Sequence, residues 1–173
     1  MAEALWSPRP LPGPRTAGRT IGRWRPARAA DLTASRLALC AALHHGARAA
    51  GASDEAVERL VLAFEELASN AVRHGRPPVE VSVTRVADPA FLLTVSDADG
   101  DSPPTPAVGR DAAFGGLGLH MVAALADDYG WTRTPDGGKI TWVRIDFDRA
   151  GNPTSRRPVP HPRGDDRGRC DQQ

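Results

Sequence analysis

Hydrophobic residues recur at intervals of three and four along residues 57–72, and this period predicts an amphipathic helix. The apolar stripe consists of Val57, Leu60, Val61, Phe64, Leu67, Ala68, Ala71 and Val72. Ser53 is the predicted N-cap of this helix, and Gly75, followed by two prolines, ends it. An Ala- and Leu-rich helix is predicted before it, from an N-cap at Asp31 to a stop at Gly51.

The other apolar segments are shorter and predict strands, a short helix and a loop. Four strands are predicted, over residues 79–84, 91–95, 129–133 and 140–147. The last two flank a tight Asp-Gly-Gly turn at residues 136–138. A short helix is predicted over residues 117–126 and a long polar loop over residues 98–114. Loops of that length inside compact domains are usually functional or disordered.

The order of these elements predicts the fold class. Consecutive strands joined by tight turns imply a mostly antiparallel mixed sheet with helices on one face, which is an α+β two-layer sandwich. We expect residues 30–148 to form this domain. Residues 1–29 and 149–173 are rich in proline, arginine and glycine and show no period. Both ends are therefore predicted to be disordered basic tails.

The net charge of +1 conceals an acidic domain between two basic ends. Residues 1–30 carry +5 and residues 149–173 carry +3, whereas residues 31–148 carry −7. The ends hold few aromatic residues on which bases could stack, so direct nucleic-acid binding is not expected. Two cysteines are too few for a disulfide framework or a zinc site. No membrane span and no secretory signal are recognisable, so a cytoplasmic protein is expected.

The first candidate site lies on the strongly periodic helix, where Glu66 and Asn70 are four residues apart and share a face. Arg73 and His74 extend that line. Spacing alone favours a solvated polar face. Alternatively, the carboxylate and amide oxygens converge on Mg²⁺, which bridges phosphates, or the carboxylate serves as a general base.

Two segments outside this helix are the other candidates. Asp97 ends an apolar strand, where an acid is either a turn residue or a buried acceptor for a ligand amino group. Three glycines within residues 115–118 precede a helix whose free N-terminal amides would favour phosphate, although an ordinary flexible loop would look the same. Neither the dinucleotide fingerprint nor a Walker A loop is present.

Four segments in series resemble the motifs of the GHKL, or Bergerat-fold, ATP-binding domains. Residues 66–75 (ELASNAVRHG) resemble the N box, and residues 95–97 (VSD) resemble the start of the G1 box. Residues 116–122 (GLGLHMV) resemble the G2 box, and residues 138–143 (GKITWV) resemble the closing Gly-x-x-Thr strand. Within that superfamily the chain most resembles the bacterial anti-sigma regulatory factors, which are serine/threonine-protein kinases.

This resemblance implies an ATP-dependent anti-sigma factor that is also a serine/threonine-protein kinase. Such a protein would bind a sigma factor, phosphorylate an anti-sigma-factor antagonist and so regulate transcription. ATP and Mg²⁺ are the implied cofactors, and the family suggests a homodimer.

The resemblance also implies roles for single residues. Glu66 would be the general base, and Asn70 would bind Mg²⁺. Asp97 would accept a hydrogen bond from the adenine amino group with support from Thr141, and residues 98–114 would be the ATP lid. The other implied ATP-binding residues are Arg73, His74, Gly116, Leu117, Gly118 and Leu119.

The G1 segment departs from the family pattern Asp-x-Gly-x-Gly, because Asp99 fills the first glycine position and Gly100 is displaced by one. Three alternative functions stay open. A nucleotide-binding regulatory module would bind partners without transferring a phosphoryl group. A detached histidine-kinase catalytic domain would need a separate dimerisation domain with an acceptor histidine. Nucleic-acid binding through the arginine-rich ends would depend steeply on salt.

Overall fold

The computed structural model describes residues 5–12, 18–87, 89–106 and 117–147. The strands in this part are β1 (Arg19–Trp24), β2 (Glu80–Arg85), β3 (Ala90–Asp97), β4 (Asp128–Arg133) and β5 (Lys139–Asp146). The helices are α1 (Ala29–Ala42), α2 (Asp54–His74) and α3 (Gly118–Leu125), and a π-helical turn (Leu43–Ala47) follows α1. The predicted C-terminal tail, residues 107–114 of the predicted ATP lid and Gly116 lie outside the described residues. No helix within the described ranges is long and apolar enough to cross a membrane.

The five strands form one sheet in the order β1-β2-β3-β5-β4. Every pair of neighbouring strands is antiparallel, so the sheet is not mixed. The central strands β3 and β5 pair from Ala90 opposite Asp146 to Asp97 opposite Lys139. The predicted α+β architecture is confirmed.

The core lies between one face of the sheet and α2. Side chains alternate across a strand, so every second residue of the central strands faces the helices. The buried strand residues on this face include Val81, Val83, Phe91, Leu93, Val95, Val143 and Ile145. They belong to one cluster with Leu60, Phe64 and Leu67 of α2. As predicted, Ser53 caps α2 by accepting a hydrogen bond from the Ala56 amide, at 3.0 Å.

The start and end of α1 differ from the prediction. Arg28 is the N-cap, and Asp31 instead lies in the first turn, where it accepts hydrogen bonds from the Ala27 and Arg28 amides at 3.0 and 3.1 Å. These hydrogen bonds lower the pKa of the Asp31 carboxyl, and the one from the Ala27 amide has the largest effect. Gly46 has a φ of +97°, which favours glycine, so the helical path ends there rather than at Gly51.

Residues 18–29 contradict the prediction of a disordered N-terminal tail. Residues 19–24 form the edge strand β1, which pairs with β2. The ring of Trp24 meets that of Phe64 on α2 edge-on, with centroids 5.4 Å apart. A strand this short and rich in arginine and glycine gives little periodic signal, and it is stabilised by pairing and by this aromatic contact.

Residues 5–12 also belong to the domain. Trp6 is 2% exposed, and its indole N–H donates to the Leu119 carbonyl at 3.2 Å. The Arg9 amide donates to the Trp131 carbonyl at 2.8 Å, so the segment covers the outer edge of β4. A single tryptophan in an irregular segment has no period, which is why the sequence pattern placed it in a tail.

We expect Trp6→Ala to lower the free energy of unfolding by about 3–5 kcal/mol, because it empties a fully buried aromatic position. Leu5→Ala is the matched control, since Leu5 is 36% exposed and should change stability by no more than about 0.5 kcal/mol. Denaturant unfolding of the full chain measures both. Equal stability of Trp6→Ala and wild type would mean that the N-terminal segment does not dock.

Candidate functional site

Asp97 is buried at the end of β3, directly opposite Lys139 on β5. The Lys139 ammonium donates to Oδ1 of Asp97 at 2.9 Å and to the Asp99 carbonyl at 2.8 Å. The Asp99 amide also donates to Oδ1 of Asp97, at 2.8 Å. The predicted acceptor is therefore a carboxylate of which one oxygen already receives two hydrogen bonds.

The other oxygen of Asp97 faces the C-terminal end of α2. A Cβ placed on Gly75 would lie 2.8 Å from Cγ and 3.0 Å from Oδ2 of Asp97, so a larger residue would crowd the carboxylate. The Ala98 amide donates to the Arg76 carbonyl at 2.7 Å and joins the end of β3 to the segment after α2. Gly75 thus ends the helix, as predicted, and also makes room beside Asp97.

Thr141 is buried on β5, on the same face of the sheet as Asp97 and Lys139. Within the described residues its hydroxyl makes no hydrogen bond to Asp97, and the direct support comes from Lys139. The sequence interpretation missed this lysine as a site residue. The signal that could have revealed it is the antiparallel register, which places residues 97 and 139 face to face.

Glu66 lies on α2 beside the first residue of α3. A Cβ on Gly118 would overlap Oε2 of Glu66, so the two helices approach this closely because Gly118 has no side chain. The Met121 amide donates to the Leu117 carbonyl at 2.8 Å, and the amides before Met121 have no acceptor within the helix. The structure therefore brings the segment of Glu66 together with the predicted phosphate-binding segment.

The other predicted site residues differ in exposure. Asn70 is half-buried on α2, and Arg73 and His74 are exposed near its end. Leu117 is exposed, whereas the side chain of Leu119 is buried in the core. Leu119 can therefore offer a ligand its backbone amide but not its side chain.

The first residues of the loop after β3, which depart from the family pattern, are held by contacts with neighbouring segments. The hydrogen bond from the Ser102 side chain, followed by the charge of Lys139, lowers the pKa of Asp99. The Gly100 amide donates to the Gly137 carbonyl at 3.0 Å, and a Cβ on Gly100 would overlap that carbonyl. Gly100 thus fixes the loop against the β4–β5 turn, and Asp99 adds an ionised carboxylate near Asp97.

Both contacts involve α2, and the stretch of the helix between them, from Glu66 beside Gly118 to Gly75 beside Asp97, is called the strip along α2. Gly75 lies nine positions after Glu66, which corresponds to roughly 13 Å along the helix axis. One end offers a buried acceptor, and the other offers a carboxylate and a helix N-terminus that favours anions. The strip therefore combines an acceptor for a donor group of a ligand with a helix N-terminus that favours anions.

A separate cavity of about 420 Å³ lies at the opposite end of the sheet. Its lining includes Arg19, Arg85 and Phe147. It contains none of the predicted site residues, so it is distinct from the strip along α2.

Two solved structures resemble this chain in fold. The structure of the RsbU and RsbW domains of Rv1364c from Mycobacterium tuberculosis is similar, with a TM-score of 0.50 and 20% identity over 70% of this chain and 30% of that chain. The SiaB–SiaC complex from Pseudomonas aeruginosa gives a TM-score of 0.55 and 13% identity over 75% of this chain and 91% of that chain. No curated protein sequence matches.

These two likenesses concern the fold alone, because both identities are low. The family model of the histidine kinase-like ATPase domain matches residues 26–145, which is more than half of the chain and includes every described residue of the strip. The chain therefore belongs to the histidine kinase-like ATPase family, in agreement with its GHKL motifs.

Proposed function

We propose that this chain is an ATP-dependent anti-sigma factor and serine/threonine-protein kinase that acts in the cytoplasm. It binds a sigma factor and phosphorylates a serine of an antagonist protein, and it works as a homodimer. The observation that carries the proposal is the strip on α2, with Asp97 at one end and Glu66 beside Gly118 at the other. Family membership supports ATP as the ligand, and the likeness to an RsbW domain supports the regulatory role. SiaB forms a complex with SiaC, which supports binding of a partner protein.

The described residues fit ATP as the ligand. Asp97 would accept a hydrogen bond from the adenine amino group through Oδ2, on the side where Gly75 leaves room. The free amides that begin α3 would hold the phosphates, and the side-chain oxygen of Asn70 would bind Mg²⁺. No cluster of three metal-ligating His, Cys, Asp or Glu side chains occurs in the described part of the chain, so Mg²⁺ would rely on Asn70 and the phosphates.

Glu66 is the proposed general base. MgATP supplies the phosphoryl group, and such transfers need positioning and charge neutralisation more than covalent chemistry. Glu66 would accept the proton of the attacking serine hydroxyl at its carboxylate, which lies beside the start of α3. Arg73 and His74, which are exposed near the end of α2, would offer positive charge or hydrogen-bond donors to the nucleotide.

The test is transfer of label from γ-labelled ATP to a partner protein co-purified from the native cell with ATP and Mg²⁺. The proposal expects phosphoserine on the partner, formed at a rate that depends on Glu66. A partner that binds in an ATP-dependent way but is never labelled would instead favour a nucleotide-binding module without kinase activity. The departure of the G1 segment, in which Asp99 fills the first glycine position of the family pattern, favours this second candidate.

We expect Gly118→Ala to preserve the fold but slow phosphoryl transfer by about 10- to 100-fold. Alanine favours the helix, and the flexible Glu66 side chain can move aside, but its carboxylate then leaves its position. Thermal unfolding and the labelled-ATP assay measure the two effects. Met121→Ala, at a part-exposed position of the same helix, is the control. An unchanged transfer rate in Gly118→Ala would contradict the placement of Glu66.

A further inference from the structure

The ion pair between Lys139 and Asp97 is the most buried one that the described residues form. The Lys139 and Asp97 side chains are 7% and 3% exposed, and the Nζ–Oδ1 distance is 2.9 Å. Lys139 is also the single lysine of a chain whose other strongly basic residues are all arginines. A compact ammonium differs from a guanidinium fork, because it can point at one oxygen and leave its neighbour free.

The hydrogen bonds fix the orientation of the Asp97 carboxylate. Oδ1 accepts from both the Lys139 ammonium and the Asp99 amide. The ammonium is itself held by the Asp99 carbonyl, at 2.8 Å. Rotation of the carboxylate would break these contacts, so Oδ2, next to Gly75, is the oxygen left for a ligand.

Other charged residues lie near the Asp97 carboxylate but do not form ion pairs with it. Asp99 follows it in the loop, and Arg76 follows α2. Arg133 on β4 donates to the Gly100 carbonyl and binds Asp101. Among the described residues, no side chain of this group forms an ion pair with Asp97, so Lys139 is the cation that pairs with Asp97 and orients it.

We infer that Lys139 is a positioning residue that makes the nucleotide site prefer a 6-aminopurine to a 6-oxopurine. The inference rests on the proposed function, since it concerns the same ATP site. An ionised carboxylate only accepts hydrogen bonds, so a fixed Oδ2 binds an amino group and repels a carbonyl oxygen. Without Lys139, Asp97 would be a buried carboxylate lacking a cation, and such groups take up a proton or turn towards water. A protonated Asp97 would donate to a 6-oxo group, and either response removes the fixed acceptor.

The experiment is calorimetric titration of the full chain with MgATP and with MgITP, in which an oxo group replaces the 6-amino group. The wild-type chain should bind MgATP about tenfold or more tightly than MgITP, because one hydrogen bond to a charged group contributes that much to the affinity. In Lys139→Met that ratio should fall towards one, because ATP loses more affinity than ITP. Lys139→Arg, which retains the positive charge, should recover part of the ratio.

A purely structural lysine would give a different result. Its removal would weaken both nucleotides alike and leave the ATP-to-ITP ratio unchanged, which would overturn this inference alone. Failure of the wild type to bind either nucleotide would overturn the proposed function and this inference together. If Lys139→Met does not fold, Lys139→Gln takes its place, since it retains an N–H donor without the charge, and the same fall in the ratio is expected.

Discussion

Asp97→Asn is expected to lower the affinity of the full chain for MgATP by about 10- to 100-fold. The substitution removes the charged acceptor for the adenine amino group, and a hydrogen bond to a charged group contributes roughly 1.5–3 kcal/mol. The buried position of Asp97, with Oδ2 turned towards Gly75, leaves water little room to replace the lost contact. Isothermal titration calorimetry measures the change.

Two controls separate this loss from general damage. Asp101→Asn makes the same chemical change in the same loop, but Asp101 is exposed and pairs with Arg133, so ATP affinity should stay nearly unchanged. Asp97→Asn also leaves Lys139 buried without its anion, which can destabilise the fold. Thermal unfolding of Asp97→Asn shows whether the protein is intact. The double variant Asp97→Asn/Lys139→Met removes the unpaired ammonium and separates its effect from the loss of the acceptor. Wild-type affinity in an intact Asp97→Asn protein would disprove the assignment of the adenine end.

Glu66→Ala is expected to bind MgATP almost as tightly as wild type and yet to phosphorylate the co-purified partner about 10²- to 10⁴-fold more slowly. That range is the usual contribution of a general base. The carboxylate of Glu66 lies at the start of α3, far along α2 from Asp97, so its removal should spare recognition of the base. Calorimetry and the labelled-ATP assay measure binding and transfer separately.

Glu65→Ala is the matched control for this variant. Glu65 is the preceding residue, but it is exposed and forms an ion pair with Arg36 on α1 at 2.8 Å. Its removal should leave both binding and transfer close to wild type. Equal transfer rates for Glu66→Ala and wild type would refute the role of Glu66 as the base.

Much of the fold could be predicted from the sequence because its signals are local. The three- and four-residue period of α2, the alternating valines of β2 and the turn before β5 each lie within one short segment. The sequence pattern does not reveal Trp6 or β1, because the contacts that hold them are distant in sequence. They are stabilised by contacts with Leu119 and with β2, more than 50 residues away, which no window of sequence contains.

The residues of the candidate site likewise include some that short motifs reveal and one that only the structure reveals. Glu66 and Asp97 belong to short motifs that a sequence reveals, and the structure places them at the two ends of one strip. The expected partner of Asp97 was Thr141, whereas the residue that contacts it is Lys139. That contact depends on the register between β3 and β5, which is set by eight consecutive residue pairs. Register depends on which residues of each strand face the core and on the connections between strands, so it cannot be read from one short motif.

The location of the nucleotide site is the central claim, and hydrogen–deuterium exchange of the full chain with and without MgATP tests it most directly. Slower exchange with MgATP is expected in residues 66–76, 97–100 and 117–121, which form the strip along α2 and the start of α3. Exchange near Arg19, Arg85 and Phe147, at the cavity on the opposite end of the sheet, should not change. Protection confined to that cavity, or no protection anywhere at saturating MgATP, would contradict the account.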